Sequence, residues 1–256
     1  PSFSKWKKAM APSPQHPNPH QANTLGNSAD FAARLIRLSP WFAALAATEQ
    51  QQLLALAQYR QLPAGQRLFS RGDSFDGIYV LLQGGVLIAG VDKTGKEALL
   101  TIVEGGDFIG EIALFDKQSR THDATASGPV QLLWWPAHQL LQLLNDQPLW
   151  WQRFGQLLTA KMRMVFQAFE DMSLQSAQVR LARRLLLCCR LQQSSAGHCV
   201  IPMSQEQLGQ LLALSRQTTN ELLQQLEAAG YIEKSYGQIT VLNLAGLQQV
   251  AELPPS

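Results

Sequence analysis

The sequence has no excess of charge of either sign and few cysteines. Twenty-one Lys and Arg residues face nineteen Asp and Glu residues, a net charge of +2, so composition indicates neither a strongly basic nucleic-acid surface nor an acidic tail. Cys188, Cys189 and Cys199 lack the paired spacing of a zinc or iron–sulfur site. We expect them to be reduced, buried residues of a cytosolic protein, with a redox or metal role as the alternative.

Long apolar runs are also missing. No uninterrupted run of about 18 apolar residues occurs, so we expect no helix that spans a membrane. Lys5, Lys7 and Lys8 are not followed by the apolar segment that a secretory signal requires. The Pro-, His-, Asn- and Gln-rich stretch up to about residue 27 predicts a disordered tail.

The next two regions differ in their periodicity. Residues 30–58 have helical spacing and predict short amphipathic helices. Residues 59–136 consist of short apolar runs bounded by glycines, which predicts many antiparallel strands and a sandwich or jelly-roll barrel. Ile78–Leu82 and Val86–Ala89, on either side of Gly84–Gly85, predict a β-hairpin. Residues 92–96 predict the next turn and residues 98–103 the next strand.

The region from Leu149 to Met172 predicts a long helix. Its apolar residues recur alternately four and three positions apart, with Gly155 filling one position, as in a coiled coil. This seam comprises Trp151, Leu158, Met162, Val165, Phe169 and Met172. We interpret it as a homodimer interface. An ordinary core-facing helix is the alternative, in which Leu157, Met164 and Phe166 would widen the stripe and face a domain of the same chain.

The last third predicts a helix-turn-helix and a small wing. Ser204 with Gln207 forms a capping box, and Ser215 is a second N-cap eleven residues later. The residues expected to face inward are Leu208, Leu212, Leu222 and Leu226. Two apolar runs on either side of Tyr236-Gly237 predict a hairpin wing. A three-helix unit that is merely structural or binds protein is the alternative.

The segment from Gly106 to Thr121 has the strongest chemical signal. Gly110 allows a ligand to approach the backbone, and residues 111–114 can form a helical turn whose N–H groups face an anion. Arg120 and Thr121 could complete a phosphate cage, while Glu111 accepts from a sugar hydroxyl. A surface turn with an Arg–Glu ion pair would explain the same residues.

Residues 110–121 resemble the phosphate-binding cassette of cyclic-nucleotide-binding domains. The order of barrel, long helix and winged helix-turn-helix, over roughly residues 31–242, resembles bacterial transcription regulators of the cyclic AMP receptor protein family, which includes the fumarate and nitrate reduction regulators. The resemblance implies an α+β protein with a jelly-roll β-barrel and flanking helices over 28–148, a dimerisation helix over 149–172 and a winged helix-turn-helix over 173–256. It implies that the protein is not an enzyme and that it requires no cofactor.

The resemblance also implies an effector site. Glu111 would contact the ribose 2′-hydroxyl, and Arg120 and Thr121 the cyclic phosphate. The backbone of Gly110, Glu111, Ile112 and Ala113 would contact the exocyclic oxygens. Cyclic AMP and cyclic GMP are therefore the candidate effectors.

Three residues depart from the family pattern around that site. Val165 and Phe166 take the places of two hydroxyl residues that the receptor protein presents to adenine, although Phe166 could stack on a base. His122 follows Thr121 where small residues are usual. A degenerate barrel that binds no ligand and serves as a dimer scaffold is therefore an alternative.

For DNA, the resemblance places Ser204 and Ser215 on phosphates and Arg216 on the O6 and N7 atoms of a guanine. Gln217 and Asn220 could read adenine or bridge to DNA through water. The expected partners are a palindromic double-stranded operator, a second copy of the chain and RNA polymerase, with no membrane.

Two further departures concern the helix-turn-helix. Glu221 stands where the receptor protein has a base-contacting arginine. Ala213 occupies the turn position often given to glycine, which predicts strain of roughly 1 kcal/mol.

Other functional classes fit poorly. A jelly-roll metalloenzyme needs a cluster of ligands on its strands, and between residues 59 and 136 His122 is the only histidine. A haem-binding variant would also depend on His122. All three cysteines lie after residue 187, so the N-terminal cysteine cluster of an iron–sulfur sensor is missing.

Overall fold

The structure is a computed structural model that describes residues 28–91, 97–191, 199–201 and 203–251. The predicted tail and the predicted turn at 92–96 lie outside the described residues. The chain divides into two compact units. The first comprises residues up to Thr159 except Ala98–Leu100, and the second comprises those three residues and Ala160 onward. Within the described ranges, no helix has the length and apolar character to cross a membrane.

Three short helices begin the first unit: α1 (Ser28–Leu38), α2 (Pro40–Ala43) and α3 (Ala47–Ala55). Their apolar residues Leu35, Phe42 and Leu53 are fully buried. Ser39 caps α2, because its hydroxyl accepts from the Phe42 N–H at 3.4 Å. The predicted amphipathic helices are therefore confirmed.

The glycine-bounded segment forms two four-stranded antiparallel sheets. The strands are β1 (Gln58–Leu62), β2 (Arg67–Phe69), β3 (Gly77–Gln83), β4 (Val86–Val91), β5 (Glu97–Val103), β6 (Phe108–Ile109), β7 (Asp123–Ala126) and β8 (Val130–Pro136). One sheet has the order β1-β8-β3-β6, and the other has the order β2-β7-β4-β5. The prediction of many short antiparallel strands is confirmed.

Strand β3 has a core on each of its faces. Ile78 and Val80 belong to the cluster that includes the N-terminal helices, whereas Tyr79 and Leu81 belong to the cluster between the sheets. Successive side chains of a strand point to opposite faces. A strand covered on both sides is therefore apolar throughout, as residues 78–82 are.

The predicted hairpin of β3 and β4 is wrong. The two strands belong to different sheets, and β3 pairs with β8 and β6. Gly84 turns the chain from one sheet to the other with φ +86°. A Cβ at Gly84 would collide with the carbonyl oxygen of Pro129. The glycine pair marks a tight change of direction but carries no information about which strands pair.

Three helices complete the description of this region: α4 (Glu111–Asp116), α5 (Ala137–Asp146) and α6 (Leu149–Leu174). Helix α6 confirms the predicted long helix. Its first half buries Trp150, Phe154 and Leu157. Met164 and Phe166, however, are 61% and 66% exposed. Of the three residues in the core-facing alternative, Leu157 is buried, whereas Met164 and Phe166 are exposed in the single chain.

The second unit contains α7 (Ala177–Leu191), β9 (Cys199–Ile201), α8 (Gln205–Leu212), α9 (Arg216–Ala228), β10 (Ile232–Ser235), β11 (Gln238–Val241) and α10 (Leu244–Val250). Strands β10 and β11 form the predicted wing, and β9 adds a third strand in the order β10-β11-β9. Strand β9 was not expected, because three residues are too short for a recognisable pattern.

One inward-facing residue of α9 was assigned wrongly. Leu223 is fully buried, whereas the predicted Leu222 is only half-buried. The buried face of α9 runs through Thr219, Leu223 and Leu226. These residues are four and three positions apart, the spacing of a single helix face.

The expectation of three reduced cysteines is also wrong. Cys189, near the end of α7, forms a disulfide with Cys199 at the start of β9, and their Cα atoms are 5.5 Å apart. Cys188 is not part of this disulfide and is buried. The spacing of the cysteines did not reveal this pair, because the chain returns to the end of α7 through tertiary folding.

Candidate functional site

The cassette begins where β6 is anchored in the core. Phe108 and Ile109 are buried and pair with Val80 and Tyr79 of β3. Gly110 then adopts φ +95° and immediately precedes α4. A Cβ at this position would collide with a guanidinium nitrogen of Arg120. Glycine is therefore required here both for the backbone conformation and for the approach of Arg120.

Arg120 lies in the interior and is only 3% exposed. Its Nη1 donates to the carbonyl oxygen of Gly110 at 2.8 Å, and its Nη2 donates to that of Gly77 at 2.6 Å. The guanidinium also stacks on Phe69, with its Cζ 4.4 Å from the ring centroid. The Nε atom is buried without a hydrogen-bond partner among the described residues. The interpretation of this segment as a surface turn is therefore wrong.

Asp76 joins Arg120 to Tyr79. One carboxylate oxygen forms an ion pair with Arg120, and the other accepts from the Tyr79 hydroxyl. Burial, followed by the neighbouring carboxylate of Asp76, raises the pKa of Tyr79 well above its ordinary value. Tyr79 consequently remains a neutral donor. Sequence reasoning missed Asp76, and the available signal was its place directly before Gly77 at the start of a strand.

The other predicted cassette residues differ in exposure. Glu111 and Ala113 are buried at 4% and 3% exposure, and Ile112 is 42% exposed. Thr121 is exposed, and its hydroxyl lies 2.9 Å from Nδ1 of His122. The cassette therefore places Glu111 and Arg120 in the folded interior next to the half-buried Gly110, while Thr121 lies at its surface.

His122 is placed as a turn residue. Burial, followed by the positive charge of Arg71, lowers its pKa, and Asp123 opposes this effect. Among the described residues, no group of three or more His, Cys, Asp or Glu side chains could hold a metal ion. The geometry of His122 therefore gives no support to a haem or metal site.

A second cation on β1 was also missed. The Cζ of Arg60 lies 3.4 Å from the ring centroid of Trp134, which in turn stacks on Tyr79 at 6.3 Å. The pKa of Arg60 is lowered, because desolvation outweighs the opposite effects of the neighbouring Tyr79 and Asp76. Aromatic and cationic side chains thus occupy one end of the space between the sheets.

Val165 and Phe166 lie in the second unit, on α6, and are 68% and 66% exposed. Their predicted role at the base of an effector stays a prediction.

The helix-turn-helix has the predicted caps. The Ser204 hydroxyl accepts from the Gln207 N–H at 3.2 Å, and the Gln207 side chain accepts from the Ser204 N–H at 2.9 Å. Ser215 accepts from the Thr218 N–H at 3.0 Å. A Cβ at Gly209 would lie 2.8 Å from the Thr219 hydroxyl. The two helices therefore approach each other closely at Gly209.

Four of the five predicted DNA-contacting residues lie together at the start of α9, and the fifth, Ser204, caps α8. Ser215, Arg216, Gln217 and Asn220 are all exposed. The Gln217 side chain donates to Glu221 at 2.9 Å. Glu221 therefore orients Gln217, a contact that the predicted site did not include. The turn residue Ala213 has φ +52°, the left-handed conformation that predicts strain for a non-glycine residue.

Comparison with protein families agrees with both regions. A family model described as "Cyclic nucleotide-binding domain" matches residues 59–147, and one described as "Crp-like helix-turn-helix domain" matches residues 179–250. Together they define a DNA-binding transcription regulator with a cyclic-nucleotide-binding domain.

Individual relatives lead to the same class. The chain is 30% identical to the transcriptional regulator SdrP of Thermus thermophilus over 69% of its own length and 85% of that protein. It is 27% identical to a CRP-like cAMP-activated global transcriptional regulator of Mycobacterium tuberculosis, over 72% of its length and 85% of that protein. A solved CRP/FNR-family regulator from Thermus thermophilus superposes with a TM-score of 0.64 at 28% identity, covering 76% of this chain and 98% of that one. The chain belongs to the CRP family of transcription regulators and not to the jelly-roll enzymes.

Proposed function

We propose that the protein is a homodimeric transcription regulator whose barrel binds a small phosphate-bearing effector, a cyclic nucleotide such as cyclic AMP or cyclic GMP. One observation carries the proposal: Arg120 is almost completely buried, yet its Nε has no partner among the described residues. A buried unsatisfied donor on a charged group costs free energy. A phosphate oxygen would satisfy it and would bring a charge opposite to that of the arginine.

The chemistry of the cassette supports the same ligand class. Gly110 leaves room for close approach to the backbone, and Glu111 is a buried carboxylate that can accept from a ribose hydroxyl. Thr121 would add a neutral hydrogen bond, worth only about 0.5–1.5 kcal/mol net. We therefore assign the largest share of binding to Arg120 and the smallest to Thr121.

The second half of the α6 seam is exposed and supports a homodimer, whereas Trp151 in its first half packs on the core of its own chain. Met162, Val165, Phe169 and Met172 are between 52% and 69% exposed in the single chain. A contiguous apolar stripe of this kind is typical of an interface. Two copies joined along α6 would present two α9 helices to half-sites about 34 Å apart, hence a palindromic operator. We also propose RNA polymerase as a partner and the cytoplasm, without membrane association, as the location.

A second function is favoured by Asp76. Its ion pair with Arg120 neutralises the buried cation without any ligand. Phe69, Tyr79 and Trp134 also occupy space between the sheets. In this alternative the barrel is a ligand-independent dimer scaffold, and the chain binds DNA constitutively.

Calorimetry of the full chain separates the two functions. Wild-type protein is unfolded and refolded to remove bound ligand, then titrated with cyclic AMP, cyclic GMP and cyclic dinucleotides. We expect binding of at least one, lost in Arg120→Leu and weakened in Glu111→Ala, with Thr121→Ala affected least. Absence of heat with every nucleotide, in protein that still binds DNA, would establish the scaffold instead.

A further inference from the structure

The cysteine pair of the second unit is outside the effector and DNA sites. Cys189 and Cys199 close a disulfide between the end of α7 and the start of β9. The bridge joins a helix to the sheet of the wing, because Cys199 pairs with Val241 of β11. Ser204, the cap of α8, follows β9 by three residues. The bridge therefore lies directly before the helix-turn-helix in the chain, and we call β9 with its partner strand β11 the base of the helix-turn-helix.

The pairing is specific to one of two adjacent cysteines. Neighbouring residues of a helix point about 100° apart, so Cys188 and Cys189 cannot both face Cys199. Cys188 is not part of the disulfide and is 2% exposed, whereas Cys189 is 9% exposed. Cys189 is thus the residue positioned for the bond to Cys199.

The location of this disulfide is unusual for a purely structural bridge. A regulator that acts on DNA works in the reducing cytoplasm, the one respect in which this inference rests on the proposed function. Disulfides in that compartment are mostly transient, with catalytic or redox-sensing roles. The fold of the second unit also has its own buried core, including Leu181, Leu185, Leu208 and Leu223. The bond is therefore an addition to a unit already held by apolar packing.

We propose that Cys189 and Cys199 form a reversible redox site, oxidised by thiol–disulfide exchange with small disulfides such as glutathione disulfide, which controls the local stability of the base of the helix-turn-helix. One protein thiolate attacks glutathione disulfide, forming a mixed disulfide and releasing one glutathione thiolate. The second protein thiolate attacks the protein sulfur of that mixed disulfide and releases the other glutathione. Two protein thiols lose two protons and two electrons, and one glutathione disulfide becomes two glutathione molecules.

Reduction removes a covalent closure of the chain between residues 189 and 199, a separation of ten residues. Such closures stabilise mainly by restricting the open chain. The strands next to the bridge should respond most, because opening is local and follows the nearest constraints. We therefore expect the amides of β9 and β11 to exchange faster in the reduced protein, by about tenfold or more.

The test uses the full chain without DNA or effector. Protein is equilibrated at a series of reduced-to-oxidised glutathione ratios, quenched with acid, then alkylated with iodoacetamide in denaturant and weighed intact. We expect one alkylated cysteine under oxidising conditions and all three under reducing conditions. Peptide mapping should show Cys189 linked to Cys199. Cys188→Ala should keep both the bridge and the redox-dependent exchange of β9 and β11, whereas Cys189→Ser and Cys199→Ser should exchange at the reduced rate in both buffers.

Three alkylated cysteines at every ratio, a stable glutathione adduct without an internal bridge, or a bridge involving Cys188 would overturn the proposal. Equal exchange rates in oxidised and reduced wild-type protein would overturn it as well, and this measurement does not depend on any variant folding. Because neither DNA nor nucleotide is present, failure here leaves the proposed function standing, and failure of effector binding leaves the redox site standing.

Discussion

Asp76 forms an ion pair with Arg120 across 44 positions of sequence, and the two side chains differ sharply in exposure, at 45% and 2%. Arg120, which we propose as the anion-binding residue, is therefore already paired before any ligand arrives. In the proposed complex an incoming phosphate would share the guanidinium with Asp76, so we expect the carboxylate to influence both the stability of the free protein and its affinity for an effector.

The first prediction concerns this shared cation. Asp76→Asn should destabilise the ligand-free first unit by about 1–2 kcal/mol, because the buried charge of Arg120 loses a partner that is itself partly exposed. The same change should tighten binding of the effector by roughly tenfold, since less negative charge opposes the phosphate. Urea unfolding and calorimetry measure the two effects. Asp116→Asn, on the exposed end of α4, is the matched control and should change neither by much. Weaker effector binding in Asp76→Asn would mean that Asp76 mainly positions Arg120.

The second prediction concerns the dimer. Val165→Glu should convert the protein to monomers, because it places a charge within the exposed apolar stripe of α6. Sedimentation of the wild-type chain should give about twice the chain mass of 28.3 kDa. Gln167→Glu adds the same charge on the opposite side of the helix and should leave the dimer intact. A Val165→Glu protein that still sediments as a dimer would show that the interface lies elsewhere.

The third prediction separates base reading from phosphate contact. Arg216→Ala should weaken binding to the selected operator by about 1–3 kcal/mol and relax the preference at one guanine, whereas Ser204→Ala should weaken all sequences alike. Operators selected from random-sequence duplexes, followed by fluorescence anisotropy on operator and random DNA, give both numbers. If both variants lost the same affinity for operator and for random DNA, Arg216 would contact only phosphate and would not read a base.

The fourth prediction concerns pH. Burial raises the pKa of Glu49, but the Ala46 N–H and the Arg153 guanidinium together lower it more. The pKa of Glu49 in the folded protein is therefore below its ordinary value of 4.5. Because its pKa is lowered in the folded state, ionised Glu49 stabilises the fold. This stabilisation is fully present above pH 4.5 and is lost as the pH falls through the folded-state pKa. Glu49→Gln should therefore lower the melting temperature at pH 7, and the difference should shrink below pH 4.5. The exposed Asp146→Asn serves as the control, and a difference that persists in acid would contradict the ionic origin.

The fifth prediction concerns the turn of the helix-turn-helix. Ala213 is exposed and left-handed at φ +52°. Ala213→Gly should stabilise the second unit by about 0.5–1 kcal/mol, because the relief of left-handed strain exceeds the added flexibility of the unfolded chain. Ala229→Gly is the matched control: Ala229 is also exposed at a helix end but has φ −77°, so glycine should destabilise there. The melting temperature should rise in Ala213→Gly and fall in Ala229→Gly.

Local features of this protein could be predicted from its sequence. The capping box of Ser204 and Gln207 and the second cap at Ser215 depend on residues within a few positions of one another. Interactions of this kind repeat at fixed spacing, so the pattern of residues is sufficient evidence for them. The cassette, the long helix and the winged helix-turn-helix followed from such patterns together with the family resemblance.

Only the tertiary structure decided the pairings between distant residues. It separated β3 and β4 into two sheets, paired Asp76 with Arg120 and joined Cys189 to Cys199. None of these pairs has a periodic signal, because each depends on how complete strands and helices pack and not on the spacing of residues within one element. Local spacing therefore indicated most of the elements and the candidate cassette residues, although β9 and Asp76 were missed. Packing of those elements determined which partners these residues meet.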